Sequence, residues 1–549
     1  MPFLHKKTGE TKKLDFWRAL PWVWLVLAYV ITMGYLVLHG RNYIDSDMSS
    51  EMVLADLLNK EGGILSKNWG YSSEIRVFYV QVFYRLAFLV FPHDWYMARM
   101  LGQAAWMLVL ILCMLYVGHS LKMQQNGVWA AAAMACPFGL WYVWYGAYGG
   151  YYVPYMVLLL LSFALTVQLV EMQNVKKPIW AAKLAILVLI SFVNGLGSIK
   201  GLMGIYLPMA VAAGLHLIVR LHREPERLPL HSLRFLVSAV CAMAAAGVGY
   251  VINTTVLAAN YSFDTNNARE WGQLSLGALV QSWCDFLSLL GFPRTGLEYL
   301  DPEMEIFSLY GVLSALSLVL AAAVAAAVVV LLQQWDSLTE TQWLVPLTFM
   351  GICLVQGGVF SQTVGRYNAN PSYWLTPLPM IMIVLQLAWE KAPFRFCFGR
   401  KCCAAAFMIC VICVSISSVH GFFSKHPRSV PELKQAEEWL VENGYTNGYA
   451  SAWNSNVLTE WSSGQLDVRA VNQFTLDVTS VNTWLERLDH STPPEGKVFL
   501  LLSAEELWGS HKESLRNENN VYWDENDYLI MAYDSYEDLI SAVQAAHEG

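Results

Sequence analysis

Long apolar stretches separated by short polar ones set the rhythm of this chain. Runs long enough to cross a bilayer fall near 19–39, 96–118, 127–145, 152–171, 179–195, 201–219, 235–257, 308–332, 342–360, 372–389 and 403–422. The pattern predicts a polytopic α-helical membrane protein with about 11 transmembrane helices. One further apolar run, 75–91, carries Arg76, Gln81 and Arg85. Counting it as a span would invert every later loop, so an interfacial or re-entrant helix is expected there. Residues 276–290, with Trp283 and Phe286, read the same way.

Past about residue 424 the pattern changes. A helix is expected over 431–443, stopped by Gly444. Short strands are expected at 445–452, 468–471, 498–502 and 528–532, alternating with helices at 480–488 and 536–546. Residues 425–549 are numerous enough to bury a core of their own, so this tail is expected to be a separate α/β domain.

Charge gives the orientation. One set of short loops holds Lys122, Lys176, Lys177, the stretch from Arg220 to Arg234 and the stretch from Lys391 to Lys401; the alternate set holds Lys200 and Arg366. The excess of Lys and Arg marks the cytoplasmic side. The expected topology has a cytoplasmic N-terminus, an extracytoplasmic tail, and two long outer loops, 40–96 and 258–307. Lys6, Lys7, Lys12 and Lys13 precede the first run, and no small-residue cleavage site follows it, so it reads as a retained span. A bacterial plasma membrane is the expected location.

Composition agrees. The chain is 56% hydrophobic and 14% charged, against about a quarter charged for soluble proteins. Its net charge of −8 conceals a split: the 425–549 tail has 21 acidic and 8 basic residues, so the preceding part is net positive. A basic membrane part with an acidic appendage points to two compartments and away from nucleic acid. All ten cysteines lie at or before Cys413, with no zinc-type spacing and no sign of a disulfide framework.

Candidate chemistry sits just past the first run, in Asp45-Ser46-Asp47 with Glu51. Carboxylates at a membrane boundary are costly unless solvated or used. A solvated helix start is the plainer reading; basic residues at later outer edges favour use. Glu51, four positions after Asp47, falls on the same helical face. The outer-edge cations are Arg76, Arg99, Lys200 and Arg366. Each alone could anchor a helix end. The aromatic run Trp141, Trp144, Tyr145, Tyr148, Tyr151 and Tyr152 fits an interfacial belt, and the same rings can stack on sugars.

Asp45-Ser46-Asp47 with Glu51, Glu74-Ile75-Arg76 opening the interfacial run, and Tyr96-Met97-Ala98-Arg99 leading into the next span together resemble the GT-C class of integral membrane glycosyltransferases. That class includes the protein O-mannosyltransferases and the bacterial aminoarabinose transferase. The likeness is best over the first 120 residues. Two departures stand out: Asp-Ser-Asp replaces the usual Asp-Glu, and Arg76-Val77-Phe78 replaces a Lys-Pro-Pro run. The register between Asp45 and Asp47 is open, with Asp47 favoured because a helical run begins right after it.

The resemblance implies a hexosyltransferase-like enzyme that takes a polyprenyl-phosphate-linked sugar to an extracytoplasmic acceptor, whether envelope glycan, lipid or protein. Asp47 or Asp45 would be the base, and Arg76, Lys200, Arg366, Glu51 and Arg99 would bind substrate. Some members of the class hold a divalent metal near these carboxylates, which leaves metal dependence open here. The alternatives are a transporter or flippase of lipid-linked sugars, marked by ionisable residues at mid-span and repeat symmetry, and a non-catalytic envelope scaffold.

Overall fold

The computed structural model describes residues 16–72, 75–136, 139–172, 177–223, 230–263, 275–292, 309–363, 371–392, 409, 411–416, 430–510, 515, 520–523 and 528–548. Arg366 and Glu74 lie outside the described residues, as does most of the expected span at 403–422.

The membrane part is all helical. Helix α1 (Phe16–His39) is followed by α2 (Ser46–Glu61), α3 (Gln81–Phe88), α4 (Trp95–Ser120) and α5 (Gln125–Ala135). Then come α6 (Val153–Glu171), α7 (Lys177–Gly195), α8 (Leu207–Arg223), α9 (Leu230–Ile252), α10 (Leu276–Leu289), α11 (Leu309–Gln333), α12 (Leu344–Thr363) and α13 (Leu378–Lys391). Seven helices among the described residues are long and apolar enough to cross a membrane, by length and composition. Several turn leucines and isoleucines outward, such as Leu27, Ile31, Leu108 and Leu112 on α1 and α4, the surface expected where lipid is the solvent.

Local chemistry explains the turns that matter. Tyr96 donates from its hydroxyl to the carbonyls of Leu36 and Val37, at 2.9 and 3.0 Å, and Tyr148 donates to Gly40. These phenols satisfy carbonyls at the end of α1 that have no intrahelical partner. The chain can then turn sharply into α2. Where α4 crosses α5, a Cβ on Gly118 would lie 2.7 Å from the Cα of Gly127, so the two backbones touch and tolerate no side chain between them.

Two expected helices differ. The 127–145 run is broken: α5 ends at Cys136, which is extended (ψ 115°) as residues before proline prefer to be, and helix resumes at Leu140. The 75–91 run forms only the eight-residue α3. It buries Gln81, Tyr84, Ala87 and Phe88, while Leu86, Leu89 and Val90 face outward. Arg85, odd in an apolar run, bonds Asn59 Oδ1 at 2.9 Å and the carbonyls of Gly63 and Leu58 at 2.7 and 3.3 Å. It closes the C-terminal end of α2, where a cation is favoured.

The tail is α/β. Helix α14 (Val430–Glu442) precedes β1 (Asn447–Ser451), α15 (Ser455–Trp461), β2 (Asp467–Val471), β3 (Val498–Ser503), α16 (Ala504–Gly509), β4 (Asn520–Trp523), β5 (Tyr528–Tyr533) and α17 (Tyr536–Glu548). The sheet order is β2-β1-β3-β5-β4. β1 runs parallel to β2 and β3, with Gly448 opposite Phe499, and β5 runs antiparallel to β3, with Val498 opposite Tyr533. The helix expected at 480–488 is absent; that stretch is turn and extended chain.

Candidate active site

Helix α2 brings the acidic cluster to one place and gives its carboxylates different work. Asp45 is the N-cap: one oxygen accepts from the Met48 backbone N–H at 2.8 Å, and the other from Trp144 Nε1 at 2.9 Å. A carboxylate here satisfies a helix-end donor and favours the positive end of the helix dipole. Asp47 is half-buried in the first turn of α2. Glu51, a turn further on, is buried and meets Arg76 Nη1 at 3.1 Å. Burial pushes the Glu51 carboxyl above its ordinary range, more than the Arg76 guanidinium pulls it down.

Arg76 is held from several sides. Its guanidinium lies 4.6 Å from the Tyr79 ring centroid, and its carbonyl accepts from Gln81 Nε2 at 3.0 Å. Next to it, the Ile75 carbonyl accepts from Asn253 Nδ2 at 2.6 Å, and that amide also donates to Leu196 at 2.6 Å. Asn253 therefore ties the Arg76 loop to the turn that carries Lys200.

Lys200 Nζ lies 5.6 Å from the Tyr152 ring centroid and 5.5 Å from that of Tyr373, within cation–π range. Tyr152 is 6.1 Å from Tyr155, which is 6.1 Å from Tyr79. Tyr152 also stands 6.4 Å from Tyr145, which is stacked on Trp144 at 5.2 Å. One tyrosine cluster thus links Asp45 and its partner Trp144 to both Lys200 and Arg76. The Tyr151 hydroxyl is buried and has no hydrogen-bond partner among the described residues. Burial, with Asp45 and Asp47 adding to it, pushes that phenol well above its ordinary value, so it stays a donor. The Ser372 hydroxyl bonds the Tyr152 hydroxyl at 3.2 Å, so the chain downstream of Arg366 reaches the same cluster.

Arg99 is paired with a residue of the tail. It is fully buried, bonds Glu460 through Nε and Nη2 at 2.6 Å each, and also donates to the Met48 carbonyl at 2.6 Å. Through these bonds Arg99 joins the tail to α2. The tail adds more ties. The 68–71 segment exchanges backbone bonds with the tail: Gly70 N to Glu486 O at 2.8 Å, Leu485 N to Gly70 O at 2.9 Å, and Leu488 N to Asn68 O at 2.8 Å. Ser46 donates to the Ala452 carbonyl, and α15 packs on α2.

The donor set does not favour a metal. Asp45 spends both oxygens on Met48 and Trp144, Glu51 faces Arg76, and no group of His, Cys, Asp or Glu among the described residues is placed to share an ion. Sequence reasoning missed Tyr79, Tyr155, Tyr373, Asn253 and Glu460. The tyrosine-rich 145–155 stretch was a signal for some of the rings; the other residues pair only through the fold.

No protein-family model matches the sequence, and no curated protein matches it. Among solved structures, the chain is similar to ArnT from Cupriavidus metallidurans bound to undecaprenyl phosphate, with a TM-score of 0.51 at 11% identity over 94% of this chain and 98% of that one. It is also similar to the oligosaccharyltransferase AglB from Archaeoglobus fulgidus in complex with an inhibitory peptide and a dolichol-phosphate, with a TM-score of 0.49 at 12% identity over 89% of this chain and 70% of that one. The ArnT likeness spans nearly the full length of both chains, and the fold is that of the GT-C glycosyltransferases.

Proposed function

We propose that this protein is a membrane glycosyltransferase that moves a sugar from a polyprenyl-phosphate donor to an acceptor hydroxyl outside the cytoplasm. The observation that carries the reading is that one tyrosine cluster links Arg76 and Lys200 to the first turn of α2, where Asp45 bonds Trp144 and the charge of Asp47 acts on Tyr145 and Tyr151. The fold shared with a protein solved bound to undecaprenyl phosphate supports the choice of donor.

A sugar on a lipid phosphate already has a competent leaving group. The acceptor oxygen attacks the anomeric carbon, Asp47 takes the hydroxyl proton as general base, and the bond from that carbon to the phosphate oxygen breaks. The departing polyprenyl phosphate gains charge. Arg76 binds its oxygens through a planar fork, Lys200 adds a point charge, and Arg366 is assigned the same task. Tyr151 and its neighbours stay phenols and donate hydrogen bonds. Asp45 holds the first turn of α2 in place and leaves Asp47 as the base.

Mass spectrometry of envelope glycans from cells with and without the protein tests this reading. Loss of one sugar from a glycan, lipid or protein is expected. Unchanged glycans alongside accumulated lipid-linked sugar on the cytoplasmic side would favour a flippase instead.

A further inference from the structure

The tail has a second feature, at the end of its sheet away from α2. β1 finishes at Ser451, beside the Ala452 carbonyl that accepts from Ser46. At the strand's other end lies a groove of about 440 Å³ lined by Tyr445, Lys497, Tyr533, Asp534, Asp538 and Ser541. The strand register assembles it: β1 and β3 start together, and antiparallel β5 ends beside them at Tyr533. At about 3.3 Å per residue, the chain from Tyr445 to Ala452 sets the groove roughly 20 Å from α2.

We propose that this groove is a glycan-binding subsite, which grips an internal stretch of an extended saccharide acceptor while its end reaches α2. The role as acceptor site rests on the function proposed above; saccharide binding itself does not.

Tyr445 is half-buried and fixed, stacked on Trp439 at 5.8 Å and 25° and edge-on to Phe499 at 6.2 Å. A fixed aromatic face suits the apolar face of a sugar ring. Asp534, Asp538 and Ser541 accept from ring hydroxyls, and Lys497 donates to them. Tyr533, only 6% exposed, forms part of the groove wall. The volume falls in the range of about 300–1,000 Å³ typical of small-molecule sites. Two carboxylates disfavour a polyanion. Lys497, and the hydroxyl of Ser535 on Asp538 Oδ2 at 2.7 Å, disfavour a bare cation.

The test uses the full chain in lipid nanodiscs and a panel of linear oligosaccharides of two to six hexose or pentose units, with binding read by tyrosine and tryptophan fluorescence. Affinity for at least one series should rise with chain length. It should fall about tenfold or more in Tyr445→Ala and in Asp534→Asn/Asp538→Asn, and persist in Tyr445→Phe, which keeps the ring. Asp47→Asn should bind glycan normally while losing transfer, so the two readings fail separately. No binding to any series, equal binding by the groove variants and the wild type, or a response to Ca²⁺ alone that the double Asn variant abolishes would each overturn the assignment.

Discussion

Arg99 and Glu460, 361 positions apart, form a two-pronged ion pair in which both side chains are fully buried. The same guanidinium holds the Met48 carbonyl, one residue past Asp47. The tail therefore grips the helix that carries the proposed base. Removing one partner of a buried pair leaves the other charge uncompensated, a loss of about 3–5 kcal/mol. Glu460→Gln is expected to lower the unfolding temperature in detergent sharply, and Arg99→Met/Glu460→Leu to recover much of it. Equal thermal stability of Glu460→Gln and wild type would remove the joint from the account.

A backbone contact makes the second tie. A Cβ on Gly70 would sit 1.8 Å from the Thr483 carbonyl oxygen, which no rotamer relieves. Gly70→Ala should therefore part the 483–488 segment from the 68–71 loop. Faster amide exchange at Leu485 and Leu488, whose N–H groups donate across this joint, is the expected signature.

Near that joint, buried His490 lies between Asp467 at 3.0 Å and Glu486 at 3.2 Å. Hydrogen bonds and charge from these carboxylates outweigh burial and raise the imidazole to about 9 from its ordinary 6.5. Its contribution to stability is complete below 6.5 and is lost as pH rises through about 9. Asp467 is held at about 2 by His490 and Arg487 despite burial, so its share is present above 3.8 and is lost as pH falls through about 2. The tail should melt progressively lower between neutral and alkaline pH. His490→Gln should flatten that slope, and an unchanged slope in the variant would contradict the assignment.

The cations separate phosphate binding from anchoring. Arg76→Lys keeps the charge but loses the fork, so the donor KM is expected to rise on the order of tenfold, ~1.4 kcal/mol, with yield unchanged. Arg76→Ala should lose more, and it also strands the buried Glu51 carboxyl. If Lys substitutes fully for Arg76 in donor titrations, the residue is a structural anchor.

Legibility from sequence followed locality. The apolar runs, four of the tail strands and the acidic start of α2 were readable because each is encoded by neighbouring residues. The 480–488 segment misled for the same reason: Val481, Trp484, Leu485 and Leu488 have helical spacing, but backbone pairing with 68–71 holds the chain in turns and irregular structure. At 127–145 hydropathy ran unbroken past the point where the helix ends. The bond between Asp45 and Trp144 joins residues 99 positions apart and had no local sign. The pairing of Arg99 with Glu460 was not legible because the two are 361 positions apart. Tyr79 and Tyr155, buried and apolar in context, gave no local sign that they connect the two cations.

The most direct measurement compares Asp47→Asn and Asp45→Asn in transfer from a polyprenyl-phosphate-linked sugar by the purified protein. Asp47→Asn should fold normally and lose on the order of a hundredfold or more in rate, the usual cost of a missing general base. Asp45→Asn should keep measurable transfer and lose stability instead, because its amide would face the Trp144 N–H with a donor or surrender the cap. Full transfer by Asp47→Asn, or abolished transfer in a fully stable Asp45→Asn, would contradict the assignment of Asp47 as the base.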